Sequence, residues 1–79
     1  EFSVYPNPSN GVFRLNIEEE VGNTPYQVQI VDLIGKELLN QSVKAQEVTT
    51  FDLSNAPKGV YFIKITQGRE QIIKRVVIR

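Results

Sequence analysis

Apolar residues recur at every second position in seven short runs, and turn-forming residues separate these runs at regular intervals. In the run 12–17, for example, Phe13, Leu15 and Ile17 fall on one face, because successive strand side chains point to opposite sides. Such a period of two predicts half-buried β-strands. We expect strands at 2–5, 12–17, 26–32, 36–43, 47–53, 59–65 and 71–78.

The number and spacing of these runs indicate an all-β domain. Seven short strands in 79 residues predict a seven-stranded, immunoglobulin-like sandwich of two sheets, and a small barrel is the alternative. Gly59–Ile65 is almost entirely β-branched and aromatic, which is typical of a central strand. Asp32–Lys36 and Gln67–Gly68 are predicted as hairpin turns, and only 36–46 offers a weak helical alternative.

The residue types that are missing exclude several classes of function. The chain has no Cys, His, Met or Trp, so neither a disulfide framework nor a zinc site of the usual Cys/His kind is available. A Ser-His-Asp or Cys-His catalytic group is excluded for the same reason. A domain of 79 residues also has little surplus stability for an elaborate buried active site. We therefore expect one domain over residues 1–79 that is not an enzyme and uses no cofactor or metal.

The acidic residues beside turns have two interpretations. Glu18–Glu20 is the one acidic run, and a solvated loop and a weak calcium site both stay open there, although no spaced ladder of Asp and Asn accompanies it. Asp32 and Asp52 each lie at the end of a predicted strand beside a turn. Hydrogen bonds from their carboxylates to nearby backbone N–H groups explain both residues without catalysis.

Three tyrosines, Tyr5, Tyr26 and Tyr61, lie within predicted strands. Strand positions favour packing in or near the core, and an exposed aromatic strip for sugar stacking is the alternative. Tyr61 lies near the start of its strand, where its hydroxyl is expected to bond the backbone as in a tyrosine corner.

Charge is distributed unevenly although the formal net charge is zero. Residues 1–63 carry four basic and eight acidic residues, which gives −4, whereas residues 64–79 carry five basic residues against Glu70, which gives +4. The zero total argues against a nucleic-acid partner, which normally requires a basic excess. The basic end has two interpretations, solvated strand faces or a strand presented to a partner.

Four segments together resemble those of a known family. They are Tyr5–Pro8 followed by Gly11, Val31–Lys36, Phe51–Ser54 with Pro57–Phe62, and Lys74–Ile78. Each segment is short, but their order and spacing resemble the type A C-terminal sorting domain of cargo exported by the type IX, or Por, secretion system of Bacteroidota. The resemblance covers essentially the whole chain, from about Phe2 to Arg79.

This resemblance implies that the domain is an address and not a catalyst. Cargo would lie N-terminal in the same chain and reach the periplasm by its own signal peptide. The type IX translocon and its outer-membrane shuttle protein would then read the domain, and a sortase-like cysteine peptidase would remove it. The cargo would end at the cell surface or be secreted.

The resemblance also implies a role for individual positions. The prolines end the first strand and glycine permits the turn, while the last strand is the part most tied to recognition, with a free polar edge and basic side chains that suit addition to a partner's sheet. The positions are Pro6, Asn7, Pro8, Gly11, Asp32, Gly35, Gly59, Tyr61, Lys74, Arg75, Val76 and Ile78.

Several expectations are left for the structure. The alternative function is an accessory carbohydrate-binding or fibronectin-like spacer module of an extracellular hydrolase. Because the sequence starts at Glu1 without Met, we interpret it as a fragment whose cargo and cleavage site lie outside it. An exposed edge strand is compatible with a monomer or a strand-exchanged dimer. Removal of Lys74–Arg79 is expected to abolish export and to leave most of the fold.

Overall fold

The computed structural model describes residues 2–18 and 24–79, and these residues form seven strands. There is no helix in these two ranges, and so none long and apolar enough to cross a membrane. The strands are β1 (Phe2–Tyr5), β2 (Val12–Ile17), β3 (Tyr26–Val31), β4 (Glu37–Val43), β5 (Val48–Asp52), β6 (Gly59–Gln67) and β7 (Glu70–Ile78).

The strands form two antiparallel sheets, in the order β1-β2-β5 and β4-β3-β6-β7. This confirms the predicted two-sheet sandwich over the barrel. β6 lies between β3 and β7, as its continuous apolar sequence predicts. β1 and β7 are edge strands of different sheets, and this places the first and last strands of the chain at the margins of the sandwich.

The core lies between the two sheets, and alternate residues of β2, β3 and β6 supply most of it. The paired residues Phe13 and Phe51 hold their ring centroids 5.7 Å apart on one sheet. Ile30 and Ile63, paired across β3 and β6, are fully buried on the other. The remaining core residues are Leu15, Ile17, Tyr26, Val28, Val43, Leu53, Tyr61, Ile65, Val76 and Ile78.

The turn at Asp32–Lys36 forms as predicted. The Asp32 N–H donates to the Lys36 carbonyl at 3.0 Å, and the Gly35 N–H donates to the Asp32 carbonyl at 3.1 Å. The Asp32 carboxylate accepts from the N–H groups of Ile34 (3.0 Å) and Lys36 (2.8 Å), so its side chain closes the turn. Gly35 has φ +88°, a conformation that side-chain-bearing residues rarely adopt.

The prediction for the last hairpin is wrong by one residue. Gln67 pairs with Glu70, so the two-residue loop is Gly68–Arg69 and not Gln67–Gly68. Gly68 has φ +60°, and a two-residue hairpin loop that requires positive φ at its first position places glycine there. The strands β6 and β7 are correspondingly longer than the sequence predicts.

Gly11 is buried where the first and third sequence motifs meet. Its carbonyl accepts from the Leu53 N–H at 2.7 Å. A Cβ atom added to Gly11 would lie 2.7 Å from the Cα and 2.9 Å from the N of Ser54, both of which are backbone atoms. Since its φ is +118°, the position excludes side chains by both space and conformation.

Gly11→Ala is therefore expected to lower the free energy of unfolding by about 2 kcal/mol or more, from backbone strain and overpacking together. The matched control is Gly68→Ala. Gly68 also has positive φ, but nothing lies within 4 Å of its added Cβ, so a loss of about 1 kcal/mol is expected. Urea unfolding of both variants measures the difference, and equal losses would show that the contact with Ser54 contributes nothing.

Candidate functional site

The loop that leaves β1 crosses from one sheet to the other and pairs with the edge of β7. The Ser9 N–H donates to the Val77 carbonyl at 3.0 Å, and the Ser9 carbonyl accepts from the Arg79 N–H at 2.9 Å. Ser9 thus forms a parallel bridge with Ile78. The buried Ser9 hydroxyl accepts from the Gly11 N–H at 3.1 Å, which shapes the loop for this pairing.

Asn7 extends the same contact through its side chain. Its amide nitrogen donates to the Arg75 carbonyl at 2.8 Å, and its amide oxygen accepts from the Val77 N–H at 3.0 Å. The flanking Tyr5–Pro6 and Asn7–Pro8 peptide bonds are both cis. We call the pairing of Asn7–Ser9 with Arg75–Arg79 the clamp. It joins two sequence motifs that are separated by about seventy residues.

The clamp corrects the expectation that the last strand has a free edge along its length. Asn7 and Ser9 occupy the outer hydrogen-bonding groups of β7 from the Arg75 carbonyl to Arg79. Among the described residues, no strand pairs with the outer side of Glu70–Lys74. We call this uncovered segment the open edge, and it is the part of β7 that remains available for backbone pairing.

Of the four predicted site residues in β7, two belong to the core and two lie at or near the surface. Val76 is fully buried and Ile78 is 3% exposed, and both belong to the core. Lys74 is half-buried, and Arg75 is exposed. Removal of Lys74–Arg79 would delete two core residues and the clamp, so the structure leads us to expect that this deletion destabilises the whole domain as well as its last strand.

The second and third motifs meet at one end of the four-stranded sheet. They enclose a groove of about 380 Å³, which we call the turn groove. The Tyr61 hydroxyl donates to the Pro57 carbonyl, and this confirms the predicted tyrosine-corner bond. Leu33 and Ile34, at the tip of the turn, are 69% and 88% exposed. The groove is lined by Asp32, Leu33, Ile34, Lys36, Leu38 and Pro57–Tyr61.

Asp52 caps the turn that follows β5. Its carboxylate accepts from the Ser54 hydroxyl at 2.6 Å and from the Ser54 N–H at 2.9 Å. These bonds to the charged form, chiefly the one from the hydroxyl, lower the pKa of the exposed Asp52 carboxyl below its ordinary value of 3.8. Both Asp32 and Asp52 thus act on nearby backbone, as predicted from their positions beside turns.

The tyrosines do not form the aromatic strip that the alternative function requires. Tyr26 is 4% exposed, and its ring packs edge-on against Phe2 with centroids 5.7 Å apart. Tyr61 is buried as well, so Tyr5 is the only tyrosine with an exposed ring. Glu19 and Glu20, two residues of the acidic run, lie outside the described residues. Within residues 2–18 and 24–79, no three acidic, His or Cys side chains cluster as metal ligands.

The structure also identifies two residues of the candidate site, Ser9 and Ile73, that are not among the predicted site residues. Ser9 is the one buried polar residue of the described chain, and both of its backbone groups enter the clamp. Nothing in the local sequence distinguishes it from Asn10. Ile73 is 53% exposed beside Lys74 and Arg75. Alternation along the strand puts Ile73 on the same face as Arg75, so the sequence carries a signal for its exposure.

Comparison with known proteins places this geometry in a family. A family model described as a secretion system C-terminal sorting domain matches residues 3–79. The chain belongs to this family. No curated protein matches the chain.

The family assignment supports several of the expectations above. The family is that of type IX secretion sorting domains, which is a family of sorting signals and not of catalytic domains. Its cargo is exported across the outer membrane to the cell surface or the extracellular space. The domain accordingly interacts with the type IX machinery and with a cargo N-terminal to it.

The clamp predicts a local effect of Asn7→Ala on the sorting domain. Loss of two exposed hydrogen bonds should lower the free energy of unfolding by about 1–2 kcal/mol. Exchange of the Val77 amide hydrogen should become faster, because the Asn7 side chain no longer accepts from it. Asn55→Ala is the matched control, at an exposed turn, and a change within about 0.5 kcal/mol is expected. Unchanged Val77 exchange in Asn7→Ala would contradict the clamp.

The lowered pKa of Asp52 predicts a contribution to stability in acid. Since the charged form is favoured in the folded state, the contribution is complete above about pH 5 and is lost as the pH falls through the folded-state pKa. Ser54→Ala removes the larger cause, so the Asp52 pKa should rise toward 3.8. Carboxyl NMR titration of wild type and variant measures this shift. A wild-type Asp52 pKa at or above 3.8 would contradict the assignment.

Proposed function

We propose that residues 1–79 form a single sorting domain that directs an N-terminal cargo through the type IX translocon and is then cleaved off. An outer-membrane shuttle protein binds the domain, and a sortase-like cysteine peptidase removes it. The domain is itself no enzyme, and it uses no metal or cofactor. It acts as a monomer or as a strand-exchanged dimer.

The meeting of the first and last motifs at the edge of β7 is the observation that carries this proposal. Residues 5–11 and 74–78 are far apart in sequence. The hydrogen bonds between the two segments hold β7 at the edge of its sheet. The motif residues lie on or beside β7, which the clamp holds in place, and the turn Asp32–Lys36, which the Asp32 side chain closes. A recognition surface requires such rigid elements. The motif residues do not converge on a titratable or nucleophilic group, as catalytic residues do.

The site residues then take three roles. Pro6, Asn7, Pro8 and Gly11 position β7 through the clamp and the contact with Ser54, whereas Asp32, Gly35, Gly59 and Tyr61 shape the turn groove. Val76 and Ile78 anchor β7 in the core. Lys74 and Arg75 contact the sorting machinery, because they are the basic residues of the last motif with side chains outside the core. This division assigns recognition to surface charge and positioning to buried residues.

A reporter fusion tests the function. Residues 1–79 are fused to the C-terminus of a periplasmic fluorescent protein in a type IX-competent bacterium, and fluorescence is measured in the medium and at the cell surface. We expect export of the wild-type fusion. Lys74→Gln with Arg75→Gln should leave most of the reporter in the periplasm, because the contact charges are lost while Val76 and Ile78 stay in place.

Matched controls separate recognition from folding. Arg14→Gln with Lys44→Gln removes one arginine and one lysine that are exposed elsewhere on the domain, so export should continue. Urea unfolding of the two double variants should give free energies within about 0.5 kcal/mol of wild type. Retention of the wild-type fusion in the periplasm would refute the sorting function. Equal export of both double variants would refute only the role of Lys74 and Arg75.

A further inference from the structure

The open edge has a defined set of backbone groups that face away from the sheet. In an antiparallel ladder the N–H and C=O of one residue point to the same side, and successive residues alternate. The clamp bonds to Arg75, Val77 and Arg79, so the odd-numbered residues of β7 face away from β6. The outward groups of the open edge are therefore those of Gln71 and Ile73, followed by the Arg75 N–H.

A groove lies beside two of these three residues, Ile73 and Arg75. It has a volume of about 520 Å³ and runs between β1, the edge of one sheet, and β7, the edge of the other. Ile73, which is about half exposed, lies along it, and Asn7 of the clamp borders it. We call this the edge groove, and it is lined by Phe2–Tyr5, Asn7 and Ile73–Arg75.

Charge determines what kind of strand fits this groove. Its lining residues include two cations, Lys74 and Arg75, and no carboxylate. Lys64 pairs with Ile73 across the ladder and adds a third cation nearby. Like charges opposite each other destabilise a strand pair, whereas opposite charges stabilise it. An incoming strand therefore needs carboxylates opposite Lys74 and Arg75, at the end where Asn7 occupies the edge, and apolar side chains opposite Gln71 and Ile73.

We propose that the edge groove binds an extended acidic segment of a partner protein by strand addition to β7. The incoming segment pairs with the outward groups of Gln71, Ile73 and Arg75 and ends where Asn7 already occupies the edge. Exposed apolar side chains on an uncovered edge are a known site of such pairing. The inference rests on the proposed sorting function only for the identity of the partner, since strand addition is measured without export.

A synthetic peptide tests the proposal on the 79-residue chain. The probe is the capped peptide Glu-Glu-Val-Thr-Val-Thr, whose antiparallel addition places the two Glu residues opposite Arg75 and Lys74 and ends at the clamp, and its control replaces both Glu residues by Lys. Titration of the labelled domain at low ionic strength is followed by NMR and by amide hydrogen exchange. We expect saturable binding of the acidic peptide and slower exchange at Gln71, Ile73 and Arg75. The basic peptide should leave these amides unchanged.

Two kinds of variant separate backbone pairing from charge. Gln71→Pro removes one outward N–H, and the ladder with β6 does not use that group, so peptide binding should be lost. Gln71→Thr keeps the N–H and should bind as wild type does. Lys74→Gln with Arg75→Gln should weaken binding about fivefold, as expected for two cross-strand charge pairs. This double variant keeps the proposal testable where Gln71→Pro fails to fold.

Several results would overturn the proposal. They are equal affinity for the acidic and basic peptides, protection confined to other parts of the domain, and wild-type binding by a folded Gln71→Pro variant. Protection of the same three amides by self-association, seen as a dimer in sedimentation without peptide, would assign the edge to a second copy instead. If the peptide does not bind but the reporter is exported normally, strand addition is refuted and the sorting function stands. If the peptide binds but the reporter is not exported, the sorting function is refuted and strand addition stands.

Discussion

The position of the last strand depends on the hydrogen bonds that join Asn7 and Ser9 to the outer edge of β7. The two sheets otherwise meet through apolar side chains, which pack without directional bonds. The clamp fixes the direction and register of the last strand, because the N–H of Ser9 bonds to the Val77 carbonyl and its carbonyl bonds to the Arg79 N–H. It also holds the loop that carries Gly11 against Ser54. One segment thus ties the start of the chain to both the third and the last motif.

The alternation of β7 lets one short strand serve two purposes. Its inward residues Val76 and Ile78 complete the core, and its outward residues Ile73 and Arg75 face solvent. In the proposed function, core packing and recognition are therefore assigned to neighbouring positions, so a deletion in β7 removes residues of both kinds. The zero net charge of the chain is a cancellation, because residues 64–79, which include β7, carry +4 and residues 1–63 carry −4.

Local patterns predicted most of the fold, and contacts distant in sequence account for what they missed. A period of two identified the strands and the buried faces of β2 and β3, and turn chemistry placed Asp32 and Gly35, since these effects act within a few residues. Nothing local indicates that Asn7 reaches Arg75, because that contact closes a long loop through the fold. The open edge and the edge groove follow from this long-range pairing, and the turn groove follows from the meeting of two other motifs that are distant in sequence, so all three required the structure.

The clamp also limits which atoms of the last strand a partner can contact. Folded, the domain offers the backbone of Gln71 and Ile73 and the side chains of Lys74 and Arg75, while Val76 and Ile78 are buried. A partner that contacted the two buried residues directly would have to displace the clamp and open the core, at the cost of most of the stability of so small a domain. If the sorting machinery binds the last strand, as we propose, its recognition of the folded domain begins on the uncovered half of β7, where the cations and the unpaired backbone lie side by side.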